Sequence, residues 1–148
     1  MKKNFLSIET SINRIFLVLF VNQSLTSVEK IIKTSIEVSI NNLLMELFTS
    51  NKSNFTDLDY VLISVGPGSY TGTRVGLAAA KAIALSIKKP LIGYSNFIAM
   101  YYQGLINEVI ERSVKTGILI KANKNEYFFQ SIENFYCGKP HIYTNENL

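Results

Sequence analysis

Residues 60–89, with the sequence YVLISVGPGSYTGTRVGLAAAKAIALSIKK, join an almost wholly apolar run to a glycine-containing turn and a long alanine-rich segment. A run that is apolar at nearly every position is typical of a strand buried on both faces. The glycines of residues 66–72 end that strand, and residues 73–88 are predicted to form a helix that stops before Pro90. A buried strand followed by a helix predicts an α/β fold.

The N-terminal third of the chain predicts three strands and a helix. Residues 5–8, 14–21 and 25–32 are apolar or β-branched, and short polar turns separate them. This pattern is typical of an antiparallel meander. Thr34, with Glu37 three positions later, fits the capping box that begins a helix, and apolar residues then recur at helical spacing.

Beyond residue 89, one more strand and one more helix are predicted. Residues 91–94 are apolar, and Ser95 or Asn96 is placed to cap a third helix that reaches about residue 115. The order is therefore β-β-β-α-β-α-β-α, in which right-handed crossovers give a mixed sheet with flanking helices. This is the topology of the ribonuclease H-like lobe, which also forms each lobe of the actin-like ATPases.

The last residues predict the beginning of a second, similar lobe. Residues 117–122 and 127–132 have the pattern of a hairpin, and residues 140–144 are a candidate edge strand. No helix is predicted after them to cover the apolar face of the hairpin. We therefore predict an N-terminal lobe at residues 1–115 and a partial second lobe at residues 116–148.

The turn at residues 66–72 is the best candidate for a binding loop. It joins a buried strand to a helix, where the backbone of Gly66, Gly68, Ser69 and Thr71 could hold an anion. The spacing matches neither the G-x-G-x-x-G motif nor a Walker A loop. The alternative is a tight turn in which the glycines adopt positive φ and Ser69 or Thr71 caps the helix.

The helix after this turn carries small residues at every fourth position, namely Gly72, Gly76, Ala80 and Ala84. Such a ridge lets a second backbone approach closely. Two interpretations stay open: close packing of the helix on its own sheet, or a groove that receives a helix of a partner protein.

Composition excludes several kinds of catalytic site. The 148 residues include one cysteine, Cys137, and one histidine, His141. A disulfide within the chain, a thiolate zinc site and a site with paired histidines are therefore excluded. A ribonuclease H-type metal cage needs an acid at the end of the fourth strand, but that strand ends in Ser64-Val65-Gly66. We predict no catalytic residue, no bound metal and no cofactor.

The net charge of +4 comes from 15 basic and 11 acidic residues that are scattered along the chain. A nucleic-acid surface is expected to be denser and richer in arginine, so the charge favours solubility and helix ends. No apolar run approaches the roughly 18 residues of a membrane span, and Glu9 and Arg14 interrupt the apolar N-terminal region. The sequence predicts a cytoplasmic protein that does not enter the membrane.

Several of these stretches resemble the TsaB family, the dimerisation subunits of the bacterial complex that adds a threonylcarbamoyl group to the tRNA adenosine beside the anticodon. The resemblance rests on residues 5–11, residues 57–60 and above all residues 66–84 with residues 90–93. The positions that carry the family motif are Glu9, Thr10, Gly66, Pro67, Gly68, Ser69, Tyr70, Thr71, Gly72, Arg74 and Gly76.

The resemblance implies a non-catalytic scaffold that binds the catalytic subunit TsaD, forms homodimers, has a TsaE-type ATPase as a further partner and contacts tRNA only indirectly. Members of the family pair through the first two helices of the N-terminal lobe. The candidate interface residues are Ile40, Leu43, Leu44, Leu47, Gly72, Gly76, Ala80 and Ala84. Two alternatives stay open. One is an actin-like nucleotide-binding phosphotransferase that uses Glu9 and residues 66–72, and the other is a self-associating remnant of a longer relative.

Overall fold

Five strands of the N-terminal part form one mixed sheet. The computed structural model describes residues 3–32, 35–144 and 146. The strands are β1 (Phe5–Glu9), β2 (Arg14–Val21), β3 (Ser24–Ile31), β4 (Tyr60–Ser64) and β5 (Leu91–Tyr94). Their order in the sheet is β3-β2-β1-β4-β5. The predicted meander is confirmed, since β2 pairs antiparallel with β1 and β3, while β4 pairs parallel with β1 and β5.

The two faces of this sheet differ in their burial. Alternate residues of β1 and β2, such as Leu6 and Leu17, are completely buried on the face that the helices cover. Strand alternation puts the other residues on the opposite face, where Phe5 stacks on Phe20 and on Tyr60 with ring centroids 5.6 Å apart. The hydrophobic core of this part therefore lies between the sheet and its helices.

Two helices pack on the buried face, α1 (Ile36–Ser50) and α2 (Tyr70–Ile87), and a short 3-10 helix at Phe55–Asp57 lies between them in the chain. The proposed cap Thr34 lies outside the described residues. Ser35 is the N-cap of α1, and its Oγ accepts a hydrogen bond of 3.4 Å from the backbone N–H of Val38. Helix α1 follows β3 and helix α2 follows β4, and these two strands run in the same direction in the sheet. The N-termini of both helices therefore lie at the same end of the sheet.

The C-terminal part contains α3 (Asn96–Ile106) and a second sheet. Its strands are β6 (Thr116–Lys121), β7 (Glu126–Glu133), β8 (Tyr136–Cys137) and β9 (His141–Thr144). Strand β7 pairs antiparallel with β6, β8 and β9, which confirms the predicted hairpin and edge strand.

Helix α3 ends earlier than the sequence predicts and packs where no helix was expected. It stops at Ile106 instead of reaching residue 115, because the chain turns at Glu108 with a φ of 56° and Val109 donates back to the carbonyl of Gly104. Phe97 and Tyr101 of α3 pack against Ile118, Ile120 and Ile132 of the second sheet. The apolar face of the hairpin is therefore covered by a helix that precedes it in the chain, and within the described residues no helix follows it.

Packing divides the chain into two compact units, residues 1–94 and residues 95–148. Helix α3 belongs to the second unit, whereas the predicted lobe boundary placed it in the first. That boundary after residue 115 follows the expected repetition of lobes and not the packing, and it stays a prediction. The order of elements and the mixed sheet confirm the predicted ribonuclease H-like, actin-like class.

Candidate functional site

The turn at residues 66–72 is a tight connection whose polar groups bond within the protein. Gly66 adopts a φ of +88°, a backbone conformation in which a residue with a side chain would be strained. The N–H of Gly66 donates to the Ser64 Oγ at 3.2 Å. Ser69 is the N-cap of α2, and its Oγ accepts from the N–H of Gly72 at 3.2 Å. Helix α2 therefore begins at Tyr70, three residues before the predicted start. The tight-turn interpretation is confirmed at Gly66 and Ser69.

The other glycines bring α2 against the turn that follows β1. A Cβ on Gly68 would overlap the carbonyl of Ser11, and a Cβ on Gly72 would overlap the carbonyl of Thr10. At Gly76 it would overlap the Oγ1 of Thr10, which donates a buried hydrogen bond of 2.7 Å to the carbonyl of Gly72. Gly68 and Gly72 are small because two backbones meet there, and Gly76 is small because the Thr10 side chain lies against it.

This contact uses donors that an anion would need. The N–H of Ser69 donates to the carbonyl of Ser11 at 2.6 Å, so it does not point toward an open loop. A cleft of about 390 Å³ lies at the first turn of α2, where Thr10, Asn13, Ser69 and Thr71 contribute polar groups. An anion at Gly66, Gly68, Ser69 and Thr71 stays a prediction, and the structure assigns the first three a structural role in the connection.

Glu9 is a buried carboxylate at the end of β1, only 7% exposed. Its Oε1 accepts from the N–H and from the Oγ of Ser11, at 2.6 and 2.5 Å. Its Oε2 has no hydrogen-bond partner among the described residues. Glu9 is therefore bonded to the turn that follows β1. No group of three potential metal ligands occurs within residues 3–32, 35–144 and 146.

Tyr94 shares the Glu9 side of the sheet. Burial raises the pKa of the Tyr94 hydroxyl above its ordinary value. A hydrogen bond with Ser7 lowers this pKa, but its effect is smaller than that of burial. The negative charge of Glu9 adds a smaller upward shift to the pKa of Tyr94. The Oγ of Ser7 donates to this hydroxyl at 3.3 Å. Ser7, Glu9 and Tyr94 thus form a small polar group on the face of the sheet that carries the stacked rings of Phe5, Phe20 and Tyr60.

The structure places the predicted interface residues in the core of the first unit, and their role in an interface stays a prediction. All eight are buried in the first unit: Ile40, Leu43, Leu44, Leu47, Gly72, Gly76, Ala80 and Ala84. The apolar stripe of α1 and the small-residue ridge of α2 face the sheet, because that is where apolar area and close backbone approach are needed. Of the two interpretations of the ridge, packing on its own sheet is the one that the structure shows.

A second surface of the same helices remains exposed, and we call it the helical face. It consists of Glu37, Val38, Asn41, Asn42, Met45 and Glu46 of α1 with Arg74, Ala78, Lys81, Ala82 and Leu85 of α2. Val38, Met45 and Leu85 are 60%, 63% and 77% exposed, which is high for large apolar side chains. The helical period that identifies the buried stripe also identifies this opposite stripe, although the predicted interface lies on the buried one.

Charge is segregated between the two helices of the helical face. Helix α1 carries Glu37 and Glu46 and no basic residue, while α2 carries Arg74 and Lys81 and no acidic residue. A hydrogen bond from Ser35 lowers the pKa of Glu37, so this carboxylate stays charged well below neutral pH. The guanidinium of Arg74 lies 4.7 Å from the ring centre of Tyr70. One side of the helical face is therefore acidic and the other is basic.

In the second unit, an aromatic pair and an arginine lie close together. Phe135 stacks on Tyr102 with ring centroids 5.5 Å apart, and the guanidinium of Arg112 lies 4.5 Å from the Phe135 ring centre. The hydroxyl of Tyr101 donates to the carbonyl of Arg112 at 3.3 Å. These contacts hold the β7–β8 turn against α3, so the group has a structural role.

The remaining chemical candidates lie on the second sheet, where the Sγ of Cys137 contacts the carbonyl of Phe135 at 4.0 Å. His141 and Cys137 are both exposed, on β9 and β8. Within the described ranges, no helix combines the length and the apolar character that crossing a membrane requires.

Comparison with protein families gives a match over most of the chain. The family model of TsaD, described as tRNA N6-adenosine threonylcarbamoyltransferase, matches residues 30–136, which is more than half of the chain. This range includes both helices of the helical face and most of the second unit.

Curated relatives carry the name that the sequence motif suggested. The tRNA threonylcarbamoyladenosine biosynthesis protein TsaB of Buchnera aphidicola subsp. Acyrthosiphon pisum is 29% identical over 100 residues, which cover 68% of this chain and 45% of the relative. The TsaB of Buchnera aphidicola subsp. Baizongia pistaciae is 26% identical over 92% of this chain and 61% of the relative. The resemblance to TsaB is confirmed, and the chain spans about half the length of the curated relatives that it matches.

A solved structure gives the same fold. YeaZ from Pseudomonas aeruginosa superposes with a TM-score of 0.83 and 15% identity, over 97% of this chain and 68% of that one. At this identity the match shows the fold alone.

Proposed function

The chain belongs to the TsaD family, whose model is described as tRNA N6-adenosine threonylcarbamoyltransferase, and on this premise we propose that it is a non-catalytic partner subunit in that tRNA modification. Its partner would be a catalytic subunit of the TsaD type, which modifies the adenosine next to the anticodon. The relatives named TsaB, a biosynthesis protein of threonylcarbamoyladenosine, support this role.

The helical face is the observation that carries the proposal. Val38, Met45 and Leu85 expose apolar area on one side of two adjacent helices, which is typical of a surface that another protein covers. The charged residues Glu46 and Lys81 would lie among or around these apolar side chains. Protein–protein interfaces likewise combine exposed apolar side chains with polar and charged ones.

A non-catalytic role fits the side chains that the chain can offer for chemistry. The only histidine, His141, lies exposed on β9, so a histidine pair cannot form within the chain. The carboxylate of Glu9 bonds to Ser11, and the turn at residues 66–72 uses its Ser69 N–H within the protein. The partner would supply the catalytic groups.

The experiment is a binding measurement with the catalytic subunit of the same cell. Size-exclusion chromatography and calorimetry of the two purified proteins should show a 1:1 complex. Met45→Glu should weaken it by about 10- to 100-fold, because burying a large apolar side chain contributes about 1.5–3 kcal/mol and 1.4 kcal/mol is a factor of ten. The melting temperature should hardly change, since Met45 is 63% exposed.

Leu25→Glu is the matched control. Leu25 is also 63% exposed, but it lies on the edge strand β3 and outside the helical face. This variant should bind like the unchanged protein. The absence of any complex at concentrations near 10 µM, on the order of the weaker specific interactions, would overturn the proposal. Tight binding of ATP and magnesium would instead favour the phosphotransferase alternative.

The same surface is suited to a second copy of this chain. In a two-fold dimer each patch meets its own copy, so the acidic α1 of one copy could lie against the basic α2 of the other. We therefore expect a weak homodimer that the catalytic subunit displaces, and sedimentation of the protein alone and in the mixture would detect it. A TsaE-type ATPase and the extent of tRNA contact stay predictions.

A further inference from the structure

A shallow cleft lies at the C-terminal end of α2, and we call it the lysine cleft. It has a volume of about 400 Å³ and is lined by Lys81, Ala84, Leu85, Lys88, Lys89 and Leu91. Its floor is aliphatic, and all three of its polar side chains are cationic. Leu85 at its edge is 77% exposed, so this apolar side chain has little cover within the described residues.

The three lysines of this cleft lack acidic partners. Helix α2 contains no acidic residue, and neither Lys81, Lys88 nor Lys89 forms an ion pair with a described residue. Like charges that are held close together repel one another, and an anionic ligand relieves that repulsion. The ligand that fits is therefore acidic at its edges and aliphatic at its centre.

Among macromolecules, this chemistry favours a protein segment over RNA. Proteins that bind single-stranded RNA stack the bases on aromatic rings and use arginine, whereas the lysine cleft contains no aromatic residue and no arginine. A phosphate backbone would leave the floor formed by Ala84, Leu85 and Leu91 uncovered. An apolar side chain with carboxylates on both sides would fill the floor and pair with the lysines.

The lysine cleft is continuous with the helical face, because Lys81 and Leu85 belong to both. We propose that it receives an acidic segment of the partner subunit, which inserts one aliphatic side chain against Leu85 and Leu91 and places carboxylates near Lys81, Lys88 and Lys89. This inference rests on the proposed function and adds the chemistry of the segment that the partner contributes.

The structure provides a variant that separates folding from binding. Lys88 lies at the C-cap of α2 in the left-handed region, with a φ of 53°, where glycine is the preferred residue. Lys88→Gly should therefore fold at least as well as the unchanged protein, with a melting temperature equal or a few degrees higher. A loss of binding in this variant could not be attributed to unfolding.

Lys52 at the end of α1 is a closely matched control. It is exposed and has a φ of 49°, and both helices end with the same hydrogen-bond pattern. Ser53 donates to the carbonyl of Phe48, as Lys89 donates to that of Ala84. Lys52→Gly removes the same charge from an equivalent cap, but Lys52 does not line the lysine cleft.

The test is the affinity of both variants for the catalytic subunit at low and high salt. We expect Lys88→Gly to weaken the complex by about three- to tenfold at low salt, with a smaller salt dependence than the unchanged protein, and Lys52→Gly to bind normally. Equal affinities for all three proteins, or an equal loss in both variants, would overturn the inference and leave the proposed function standing.

Two other outcomes have distinct meanings. If the unchanged protein forms no complex, the proposed function fails and this inference fails with it. If unmodified tRNA binds the protein alone, and Lys88→Gly loses that binding while Lys52→Gly keeps it, the lysine cleft is an RNA site and the inference is overturned.

Discussion

The contact between Gly76 and Thr10 can be tested quantitatively. Gly76→Ala would place a Cβ inside van der Waals contact with the Thr10 Oγ1, and 3.3 Å from the Ile63 Cδ1. Overpacking costs about 1–3 kcal/mol. If the threonine rotates away, its buried hydrogen bond to the Gly72 carbonyl is lost, which costs a further 1–3 kcal/mol or so. Alanine gains about 1 kcal/mol over glycine in a helix, so a net loss of about 1–5 kcal/mol is expected.

A double-mutant cycle with Thr10→Ala isolates this contact. Removing the Oγ1 makes room for the new methyl group, so the double variant should lose about 1–2 kcal/mol less than the sum of the two single variants. The assay is urea unfolding followed by far-UV circular dichroism. Ala78→Gly, at an exposed position of the same helix, measures the propensity difference to be subtracted.

The outcome of that cycle decides between two roles of the glycine. Additivity of the two changes within about 0.5 kcal/mol would refute the close-contact explanation of Gly76. Weaker binding to the catalytic subunit without any loss of stability would return Gly76 to the interface, where the sequence analysis placed it.

Three further changes test other parts of the molecule. Phe135→Ala should lower the free energy of unfolding by about 1–2 kcal/mol, which is less than the loss expected when a fully buried phenylalanine is replaced. The change should speed hydrogen exchange in β6 and β7 but not in β1. A uniform increase in exchange would contradict the role of this ring in the second unit. Because burial raises the pKa of Tyr94 in the folded state, the stability that this group contributes is present below its unfolded pKa, near 10, and is lost as the pH rises through the folded value. Tyr94→Phe should therefore lose less stability between about pH 9 and pH 11 than the unchanged protein, and equal slopes would refute this. Glu9→Gln keeps an acceptor for Ser11, so its free energy of unfolding should lie within about 1 kcal/mol of that of the unchanged protein. Glu9→Ala removes the acceptor and should lower the free energy of unfolding by about 1–3 kcal/mol. Equal losses in urea unfolding would show that these bonds do not stabilise the turn.

The first unit was predictable because its local signals agree with its packing. The apolar run of β4, the glycines after it and the small residues of α2 all follow from one physical requirement, which is a helix pressed onto a sheet. The end of α3 was predicted too late because residues 107–115 contain no proline or glycine that would end a helix. Only the packed turn at Glu108 shows the stop.

The site was harder to predict than the fold, because the strongest sequence signals turned out to be structural. Periodicity identifies which residues of a helix differ from their neighbours, but Ile40 and Ala80 stand out for burial and not for binding. The residues that now carry the proposal, such as Met45 and Leu85, follow no motif. Helical periodicity places them on a stripe of their own, but only the packing of α1 and α2 on the sheet shows that this stripe is the uncovered one.

The Thr10 side chain that lodges between Gly72 and Gly76 has a mechanical consequence. A helix held only by aliphatic side chains can slide or roll slightly, because such contacts lack direction. Here the hydrogen bond to Gly72 and the absence of any Cβ opposite Thr10 form a notch that fixes α2 along its axis. A protein that docks on the outer side of α2 therefore meets a preorganised surface, and little of its binding free energy is spent on ordering the helix.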